Sequence, residues 1–290
     1  MIKNCLVCGK NNLKNYLNLG NQPLANNLSS KINVKKYPLK IVYCKNCYHN
    51  QLTFEVNKEK LFSKYFYLSS QSKSLQNHFN NAAKKYIKTL NLNKNSCIID
   101  IGSNDGIGLK YYQQKGYLNI KGVEPAKNIA KIANNKQIPT INSFLNFQLA
   151  NKLSNTADLI TASNVFAHNK NIKYLAKCLA KMLKEDGILI IEVQYLIAMI
   201  ENNLFDNIYH EHIHYWSANA LNYLFNKVNC TIVNIEKIDT HGGSIRCYVK
   251  KKKLNQNLKV KNFLKKEIKF GIKKKKNLSR FPKKITNKKK

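Results

Sequence analysis

The stretch IIDIGSNDG at 98–106 decides the fold, together with the apolar run IKGVE at 120–124, which ends on Glu124. Residues 97–101 are short, largely apolar and β-branched, which predicts a buried parallel strand. The glycines of the following turn let the backbone approach a ligand without a Cβ clash. A carboxylate that closes the second strand can accept hydrogen bonds from a ribose diol, because the carboxyl ends of parallel strands meet at one edge of the sheet. The two segments therefore predict a crevice that binds an adenosine.

The spacing of the glycines distinguishes between adenosine ligands. A dinucleotide fingerprint has glycines at offsets of zero, two and five, because the second glycine lets the pyrophosphate touch the backbone. Here Asn104 stands two residues after Gly102, and Asp105 places a negative charge where a pyrophosphate would lie. The spacing of a P-loop is absent as well. An acidic turn suits a ligand with an ammonium and a sulfonium, so we expect S-adenosylmethionine; the alternative is a purely structural strand, turn and helix.

Length and composition bound the domain organisation. At 290 residues and 43% apolar content, the chain can bury one large core and has room for a small second module. No N-terminal apolar stretch resembles a signal peptide. The longest apolar run, at 188–200, is too short to cross a bilayer and contains Glu192 and Gln194. We therefore expect a cytoplasmic protein without a membrane span.

The net charge of +35 suggests a nucleic-acid partner, which the composition disfavours. Only Arg246 and Arg280 are arginines, whereas nucleic-acid surfaces favour arginine for bidentate contacts. Part of the charge is local, because residues 250–290 hold nineteen basic residues and one acid, Glu267. We expect no specific nucleic-acid partner, and a solvated or disordered Lys-rich tail at 251–290. Loose electrostatic attachment of this tail to RNA or anionic lipid is the alternative.

Two CxxC pairs indicate a metal site near the N-terminus. Cys5 with Cys8 and Cys44 with Cys47 can offer four thiolates to one ion at the tetrahedral geometry of structural zinc. A disulfide interpretation is weak in a reducing compartment. The segment is too small and polar to fold without metal, so we expect a zinc-binding module at 1–60 that the ion stabilises. The remaining cysteines are interpreted as small core residues: Cys97, Cys178, Cys230 and Cys247.

Helix-like and strand-like segments alternate after Gly106, which predicts a doubly wound, mostly parallel α/β sheet in a domain at 61–250. The clearest amphipathic helix is predicted at 170–184. The last two predicted strands, 230–238 and 244–251, are joined by the short connection around HGG, so we expect an antiparallel strand there.

The loop SNVFAH at 163–168 follows the fourth predicted strand. Ligands of such sheets bind beyond the carboxyl ends of the strands, which places Asn164 and His168 near the cofactor. A methyltransferase acting on an amino group of DNA or protein would be expected to carry an Asn/Asp-Pro-Pro-aromatic sequence here. Its absence from this loop argues against amino-group chemistry.

The run YHEHIHYW at 209–216 is the densest polar and aromatic cluster of the sequence. In an extended conformation His210, His212 and His214 share one face and could hold a metal, whereas Tyr209 and Glu211 share the other. A purely structural cluster is a further alternative. Acid–base chemistry is favoured, because imidazole titrates near neutral pH and a flanking carboxylate can fix its tautomer.

Taken together, the motifs resemble those of the sugar-nucleotide C-methyltransferases that carry an N-terminal zinc module. The matching pieces follow the family's order from residue 1 to about 250: the paired CxxC motifs, NQPLAN (21–26), YFYLSSQS (65–72), EPAKNIA (124–130), NVFAHN (164–169), YHEH (209–212) and HGGSIR (241–246). The resemblance implies a seven-stranded class I methyltransferase sheet. It also implies methyl transfer from S-adenosylmethionine to C3 of a 4-keto-deoxysugar that is bound as its nucleotide diphosphate.

The same resemblance implies roles for individual residues. His212 would be the catalytic base, and the reacting centre would also include Tyr209, Glu211, His168 and Tyr67. The cofactor-binding residues would be Ser70, Gly102, Asp105, Gly106, Glu124 and Asn164. Family members usually continue past HGGSIR into a further α/β domain, whereas this sequence has the Lys-rich residues 251–290, interpreted as a truncated or disordered segment. The alternative function is a non-catalytic or degenerate remnant that binds zinc and S-adenosylmethionine and has an altered substrate.

Overall fold

A computed structural model describes residues 1–26, 34–57, 61, 67–273 and 278 of the chain. In chain order, the strands are β1 (Leu13–Gln22), β2 (Tyr37–Cys44), β3 (Asn50–Leu52), β4 (Ile98–Ile101), β5 (Ile120–Glu124), β6 (Thr140–Asn142), β7 (Ala157–Ser163), β8 (Leu183–Gln194), β9 (His214–Tyr215), β10 (Thr231–Ile238) and β11 (Ser244–Lys250). The α-helices are α1 (Lys73–Thr89), α2 (Ile107–Gln113), α3 (Lys127–Asn135), α4 (Phe147–Lys152), α5 (Ile172–Met182), α6 (Leu196–Glu201), α7 (Ala218–Asn226) and α8 (Leu258–Phe270).

Seven of the described strands form the central sheet, in the spatial order β10-β11-β8-β7-β4-β5-β6. Strands β4 to β8 pair in parallel, and β11 lies antiparallel between β8 and β10. Ile98 of β4 lies opposite Ile120 on one side and Leu159 on the other, and all three are buried. Burial of both sheet faces explains why these strands are continuous apolar runs. The predicted doubly wound class I sheet, with its antiparallel strand, is confirmed.

Local capping explains where several helices begin. Four polar side chains accept a hydrogen bond from a backbone N–H group in the first turn of α1, α4, α7 and α8: Ser72, Asn146, Ser217 and Asn257. The helix predicted at 170–184 ends earlier, because Leu183 already pairs with Ala157 and begins β8.

A second sheet joins the N-terminal module to the rest of the molecule. Its order is β1-β2-β3-β9, and β9 comes from the histidine-rich run at 209–216. Asn50 and Gln51 of β3 lie opposite Tyr215 and His214 of β9. The domain boundaries at 60 and 250 stay a prediction, but the N-terminal module and the central domain share backbone hydrogen bonds.

The Lys-rich segment contains an ordered helix, α8, which packs against β10 and α7. The helix ends at Gly271, whose left-handed φ of 95° suits glycine. Val260 and Glu267 are buried on its inner face. The apolar residues of this helix recur at helical spacing among the lysines. The expectation of a solvated or disordered tail is therefore wrong for residues 258–273. Residues 274–277 and 279–290 of the segment lie outside the described residues.

The apolar run at 188–200 is divided between β8 and α6. In the part of the chain that the structure describes, no helix is long and apolar enough to cross a bilayer. The cysteines predicted to belong to the core are all buried: Cys97, Cys178, Cys230 and Cys247.

Candidate functional site

A cavity of about 490 Å³ opens at the carboxyl ends of β4, β5 and β7. Seven residues singled out in the sequence line this cavity: Tyr67, Gly102, Glu124, Asn164, His168, Tyr209 and His212. Four others lie outside its lining: Ser70, Asp105, Gly106 and Glu211. Segments far apart in the sequence thus meet at the edge of the sheet where ligands of this architecture bind.

Glu124 closes β5 at the cavity wall, and backbone groups hold its carboxylate. The N–H of Asn104 donates to Oε2 (3.0 Å), and the N–H of Ala126 donates to Oε1 (2.9 Å). Burial raises the pKa of Glu124, and these two hydrogen bonds oppose the rise. Each carboxylate oxygen has a further lone pair, so Glu124 can accept hydrogen bonds from the hydroxyl groups of a ribose.

Asp100, at the end of β4, is a cavity residue that the sequence analysis missed. The Thr161 hydroxyl donates to its Oδ1 (2.6 Å), and a Cβ at Gly108 would lie 3.0 Å from its Oδ2. Burial, with a contribution from the carboxylates of Glu124 and Glu192, raises the pKa of Asp100 to about 7. A cation in the cavity would favour the ionised form. Its position near the end of the predicted strand, two residues before Gly102, was the sequence feature that could have identified it.

Two glycines of that turn are required by their surroundings. Gly102 has a φ of 64°, and a Cβ there would lie 2.7 Å from Cγ2 of Val165 in the loop after β7. Gly106 has a φ of 80°, and its Cβ would lie 2.8 Å from Cδ1 of Ile138. Both positions therefore need glycine, but only Gly102 lines the cavity. Gly106 allows the turn to pack rather than to contact a ligand.

Asp105 lies elsewhere than expected. Its Oδ2 is 2.8 Å from Nζ of Lys136, and its carboxylate lies outside the cavity lining. The acidic character of the cavity comes instead from Asp100 and Glu124, and among the described residues no lysine or arginine lines it. Acidic residues do line the cavity, but Asp105, which was expected to be one of them, pairs with Lys136 instead.

The segment before α1 brings Tyr67 and Ser69 to the cavity. Nδ2 of Asn104 donates to the carbonyl oxygen of Tyr67 (3.0 Å), and Oδ1 of Asn104 accepts from the N–H of Ser69 (2.9 Å). Asn104 thereby connects this segment to the glycine turn. Ser70, predicted to bind the cofactor, is one position beyond the residue that lines the cavity, and its carbonyl oxygen accepts from Gln76.

His212 and Tyr209 form a hydrogen-bonded pair in the cavity wall. Nδ1–H of His212 donates to the carbonyl oxygen of Asn207 (3.0 Å), so Nε2 accepts from the Tyr209 hydroxyl (2.8 Å). Burial, together with the neighbouring His168, lowers the pKa of His212 to about 3. The imidazole is therefore neutral near pH 7 and has its lone pair on Nε2.

His168 lies beside this pair, with its ring 5.0 Å from the ring of His212. Its Nδ1–H donates to the carbonyl oxygen of Glu211 (2.9 Å), and burial lowers its pKa to about 4. The Glu211 carboxylate accepts from Nδ2 of Asn26 (2.5 Å), a cavity residue of the N-terminal module. Backbone carbonyl groups, rather than the flanking carboxylate that was expected, therefore fix the tautomers of both histidines.

Asn164 and His241 meet at the cavity with left-handed backbones, at φ values of 59° and 53°. Nδ2 of Asn164 donates to Nε2 of His241 (2.9 Å). Non-glycine residues in this conformation cluster at functional sites. The sequence analysis interpreted the HGG connection only as a hairpin, so the approach of His241 to the cavity was not predicted.

The three histidines of the 209–216 run do not converge. His212 lines the cavity, whereas His210 and His214 are absent from its lining and hydrogen-bond to Tyr37 and His49 of the N-terminal module. Within the described ranges, the four N-terminal cysteines are the one group of three or more potential ligands that could hold a metal. The alternative of a metal site at the histidines is therefore not supported.

The four cysteines form a compact cluster, with all Sγ atoms within 4.8 Å of one another. Sγ of Cys5 lies 3.5 Å from that of Cys47, and Sγ of Cys8 lies 3.5 Å from that of Cys44. Zinc–sulfur bonds of about 2.3 Å place tetrahedral sulfurs about 3.8 Å apart, so the cluster needs little adjustment. Interaction with the neighbouring Cys44 thiol, together with burial, raises the pKa of Cys5 to about 12, and a divalent cation would relieve this cost of ionisation. The residues fit zinc.

Comparison with known proteins identifies the family. Residues 75–235, more than half of the chain, match the methyltransferase domain family. The chain belongs to this methyltransferase domain family. Residues 5–62 match a zinc-binding domain, and residues 239–290 match the C-methyltransferase C-terminal domain, which assigns the Lys-rich segment to a domain. The predictions of S-adenosylmethionine and zinc as cofactors are confirmed by these domains, the fold and the thiol cluster.

This methyltransferase-family chain is 30% identical to the C-methyltransferase NovU of Streptomyces niveus over 251 residues, which is 84% of the chain and 60% of NovU. It is 35% identical to phosphoethanolamine N-methyltransferase of Plasmodium falciparum over 120 residues, or 38% of the chain and 43% of that enzyme. The chain thus spans less than two thirds of the length of either relative.

Two solved structures resemble the methyltransferase fold of this chain. A chain of the complex between the Haloferax volcanii Trm112 methyltransferase activator and a methyltransferase has a TM-score of 0.50 at 11% identity, covering 63% of this chain and 95% of that one. The PH0226 protein of Pyrococcus horikoshii OT3 has a TM-score of 0.50 at 13% identity, covering 67% and 97%. At these identities the similarity shows the fold alone.

Proposed function

We propose that this protein is an S-adenosylmethionine-dependent C-methyltransferase that acts on a keto-deoxysugar linked to a nucleoside diphosphate. The observation that carries the proposal is that one cavity contains two buried carboxylates, Asp100 and Glu124, together with the neutral imidazole of His212. The similarity to the C-methyltransferase NovU supports carbon as the acceptor. The motifs shared with sugar-nucleotide C-methyltransferases support the sugar.

Asp100 and Glu124 would hold the cofactor at the ends of β4 and β5. When bound, S-adenosylmethionine supplies a methyl group on a positively charged sulfur. Glu124 can accept the ribose hydroxyls, and the charge of Asp100 suits a cationic ligand. The absence of lysine and arginine from the described cavity lining leaves no cation there to repel such a ligand.

His212 would remove a proton from the carbon beside the ketone. Its Nε2 carries the lone pair and faces the Tyr209 hydroxyl, because Nδ1–H is held by the Asn207 carbonyl group. Once Nε2 takes the substrate proton, the Tyr209 hydroxyl is free to donate to the enolate oxygen. General base catalysis of this kind contributes about 10²–10⁴-fold. His168 is less suited as that donor, since its Nδ1–H is directed to the Glu211 carbonyl group.

With the cofactor held by Asp100 and Glu124, the enolate carbon would take the methyl group that it supplies, and the carbon–carbon bond would form as the methyl–sulfur bond breaks and a neutral thioether leaves. The proton on His212 returns to solvent, which restores the neutral imidazole. Holding both reactants in one cavity makes the step effectively unimolecular, and positioning therefore supplies much of the acceleration.

The proposal is tested by incubating the protein with nucleotide-linked 4-keto-deoxysugars in two assays. One follows transfer of a labelled methyl group, and the other follows exchange of the C3 proton with D₂O in the absence of the methyl donor. We expect wild-type protein to catalyse both reactions. His212→Asn should lower both rates by about 10²–10⁴-fold while calorimetry shows unchanged binding of S-adenosylmethionine.

Three outcomes would contradict this assignment in different ways. Full proton exchange by His212→Asn would exclude His212 as the base. Exchange without methylation would argue against the sugar as the methyl acceptor. Binding of S-adenosylmethionine by wild-type protein with neither reaction would favour the non-catalytic alternative.

A further inference from the structure

The histidine-rich run presents alternate histidines to different parts of the molecule. His212 lines the cavity, and the histidines two positions before and after it contact the N-terminal module, here called the zinc module (described residues 1–26 and 34–57). Nε2–H of His210 donates to the carbonyl oxygen of Tyr37 in β2 (3.2 Å). His214 pairs with His49 of the module. The proposed base, His212, therefore lies between two histidines that both contact the zinc module.

The His49–His214 contact is fully buried. Nε2–H of His214 donates to the carbonyl oxygen of Asn169 (2.9 Å), so its Nδ1 accepts from Nε2–H of His49 (2.8 Å). The His49 ring also packs on Trp216, with ring centroids 4.5 Å apart. Such a bond, shielded from water, restricts both side chains to one arrangement.

Residues of the histidine-rich run also hydrogen-bond to the loop after β7, which carries His168. Nε1–H of Trp216 donates to the carbonyl oxygen of Phe166 (3.1 Å), and the N–H of Ile213 donates to that of Ala167 (2.7 Å). With the bond from His214 to Asn169 and that from His168 to Glu211, each residue from 166 to 169 is hydrogen-bonded to the 209–216 run. The loop therefore has its position set from the side of the zinc module.

We propose that the zinc module positions the catalytic histidines, and that His49 is the positioning residue that acts through His214 and Trp216 on His168 and His212. The inference rests on the proposed function. His49 follows the zinc-ligand candidate Cys47 by two residues, and its carbonyl oxygen accepts from the N–H of Cys44 (2.8 Å). The metal-site cysteines, His49, His214 and the loop that carries His168 are connected in succession by hydrogen bonds. A displacement of about 1 Å at the reacting groups costs about 10²-fold in rate, so a rigid support of this kind would matter.

The test compares three variants of the zinc-loaded protein. His49→Phe keeps the ring but removes the donor, and it should lower kcat about 10–100-fold while KM and the dissociation constant of S-adenosylmethionine change less than about twofold. His49→Gln retains an N–H donor at the position of Nε2 and should restore most of kcat. The control is Ile41→Val, which removes a methyl group from the buried β2 strand of the same module without touching His49, and should leave kcat within about twofold.

Two spectroscopic readouts do not depend on turnover. Trp216 is the single tryptophan of the sequence, so its emission reports directly on the ring contact with His49. The sequence has seven histidines, and selective labelling resolves the ring signals of His168 and His212 by NMR. We expect His49→Phe to change the Trp216 emission and shift both histidine signals, and Ile41→Val to change neither.

Unchanged kcat or unchanged His168 and His212 signals in His49→Phe would overturn the proposal. An equal loss of kcat in Ile41→Val would also overturn it, because the effect would then be general destabilisation. If wild-type protein methylates no keto-sugar, the proposed function fails, and the NMR comparison still decides whether His49 positions the two histidines.

Discussion

At the scale of single residues, Asp100 determines how the cavity responds to pH. Its pKa is raised to about 7, mainly by burial, so the ligand-free protein holds a proton there below neutral pH. A cationic ligand binds the ionised form better, and binding must therefore release that proton in mildly acid solution. His212 contributes no such change, because its lowered pKa keeps it neutral down to about pH 3.

We expect the dissociation constant for S-adenosylmethionine to rise as pH falls below about 7, by up to about tenfold per pH unit. Asp100→Asn should bind about ten- to a hundredfold more weakly at pH 8 and show no dependence on pH in this range. Calorimetry across this pH range measures both effects. Asp158→Asn is the control, since Asp158 pairs with Lys184 outside the cavity lining and its loss should leave the pH dependence intact. A pH-independent affinity of the wild-type protein would contradict the role of Asp100.

At this scale, the sequence located side chains at the cavity where their position follows from local spacing. Glu124, Asn164 and His168 line the cavity, because Glu124 ends a strand that the apolar pattern defines and the other two follow one; their roles stay a prediction. Asp105 and Glu211 were expected to face a ligand, and their partners, Lys136 and Asn26, lie far away in the sequence. Tertiary partners of this kind decide the direction of a side chain, and no local pattern encodes them.

At the scale of elements, α8 stabilises the start of α7 through one buried carboxylate. Glu267 accepts from the N–H groups of Ala218 (2.7 Å) and Asn219 (2.8 Å), and its Oε2 also accepts from Nδ2 of Asn219 (2.6 Å). These groups belong to the first turn of α7, where backbone N–H groups lack helical partners and negative charge is favourable. The Lys-rich segment therefore supports the helix that directly follows the histidine-rich run.

Glu267→Gln should lower the free energy of unfolding by about 1–3 kcal/mol, because one amide oxygen cannot replace both carboxylate oxygens at three donors. Urea denaturation followed by circular dichroism measures the loss. Lys266→Gln provides the control, since Lys266 is exposed on the same helix and its replacement should change stability by less than about 0.5 kcal/mol. Equal stability of Glu267→Gln and wild-type protein would show that the cap contributes nothing.

Elements were predictable from the sequence where an apolar pattern marked them. The apolar periodicity located the strands of the central sheet and α5 within a few residues. β9 has two residues and pairs with β3, so neither its length nor its neighbours gave a signal. The helix α8 was missed because its lysines dominated the composition, although Val260 and Leu264 repeat at helical spacing.

At the scale of the whole molecule, zinc and cofactor binding should be separable. Asp100 and Glu124 belong to the central sheet, whereas the four thiols belong to the N-terminal module, where Cys44 ends β2 and the other three lie outside the strands. We expect chelation of zinc to unfold residues 1–57 and change the Trp216 emission, while the affinity for S-adenosylmethionine changes less than about fivefold. Limited proteolysis, fluorescence and calorimetry on one chelated sample measure these effects. Loss of all cofactor binding would show instead that the two sheets unfold together.

The pairing of β3 with β9 also has a consequence during synthesis. The cysteines leave the ribosome early, but His214, the partner of His49, is made 165 residues later, on the order of ten seconds at the usual rates of translation. A nascent chain that has already captured its metal therefore exposes β3 as a bare edge throughout this interval. Neighbouring ribosomes on one messenger RNA would carry chains that expose identical β3 edges at the same time. Slow translation between β3 and β9 therefore favours edge-to-edge association of newly made chains.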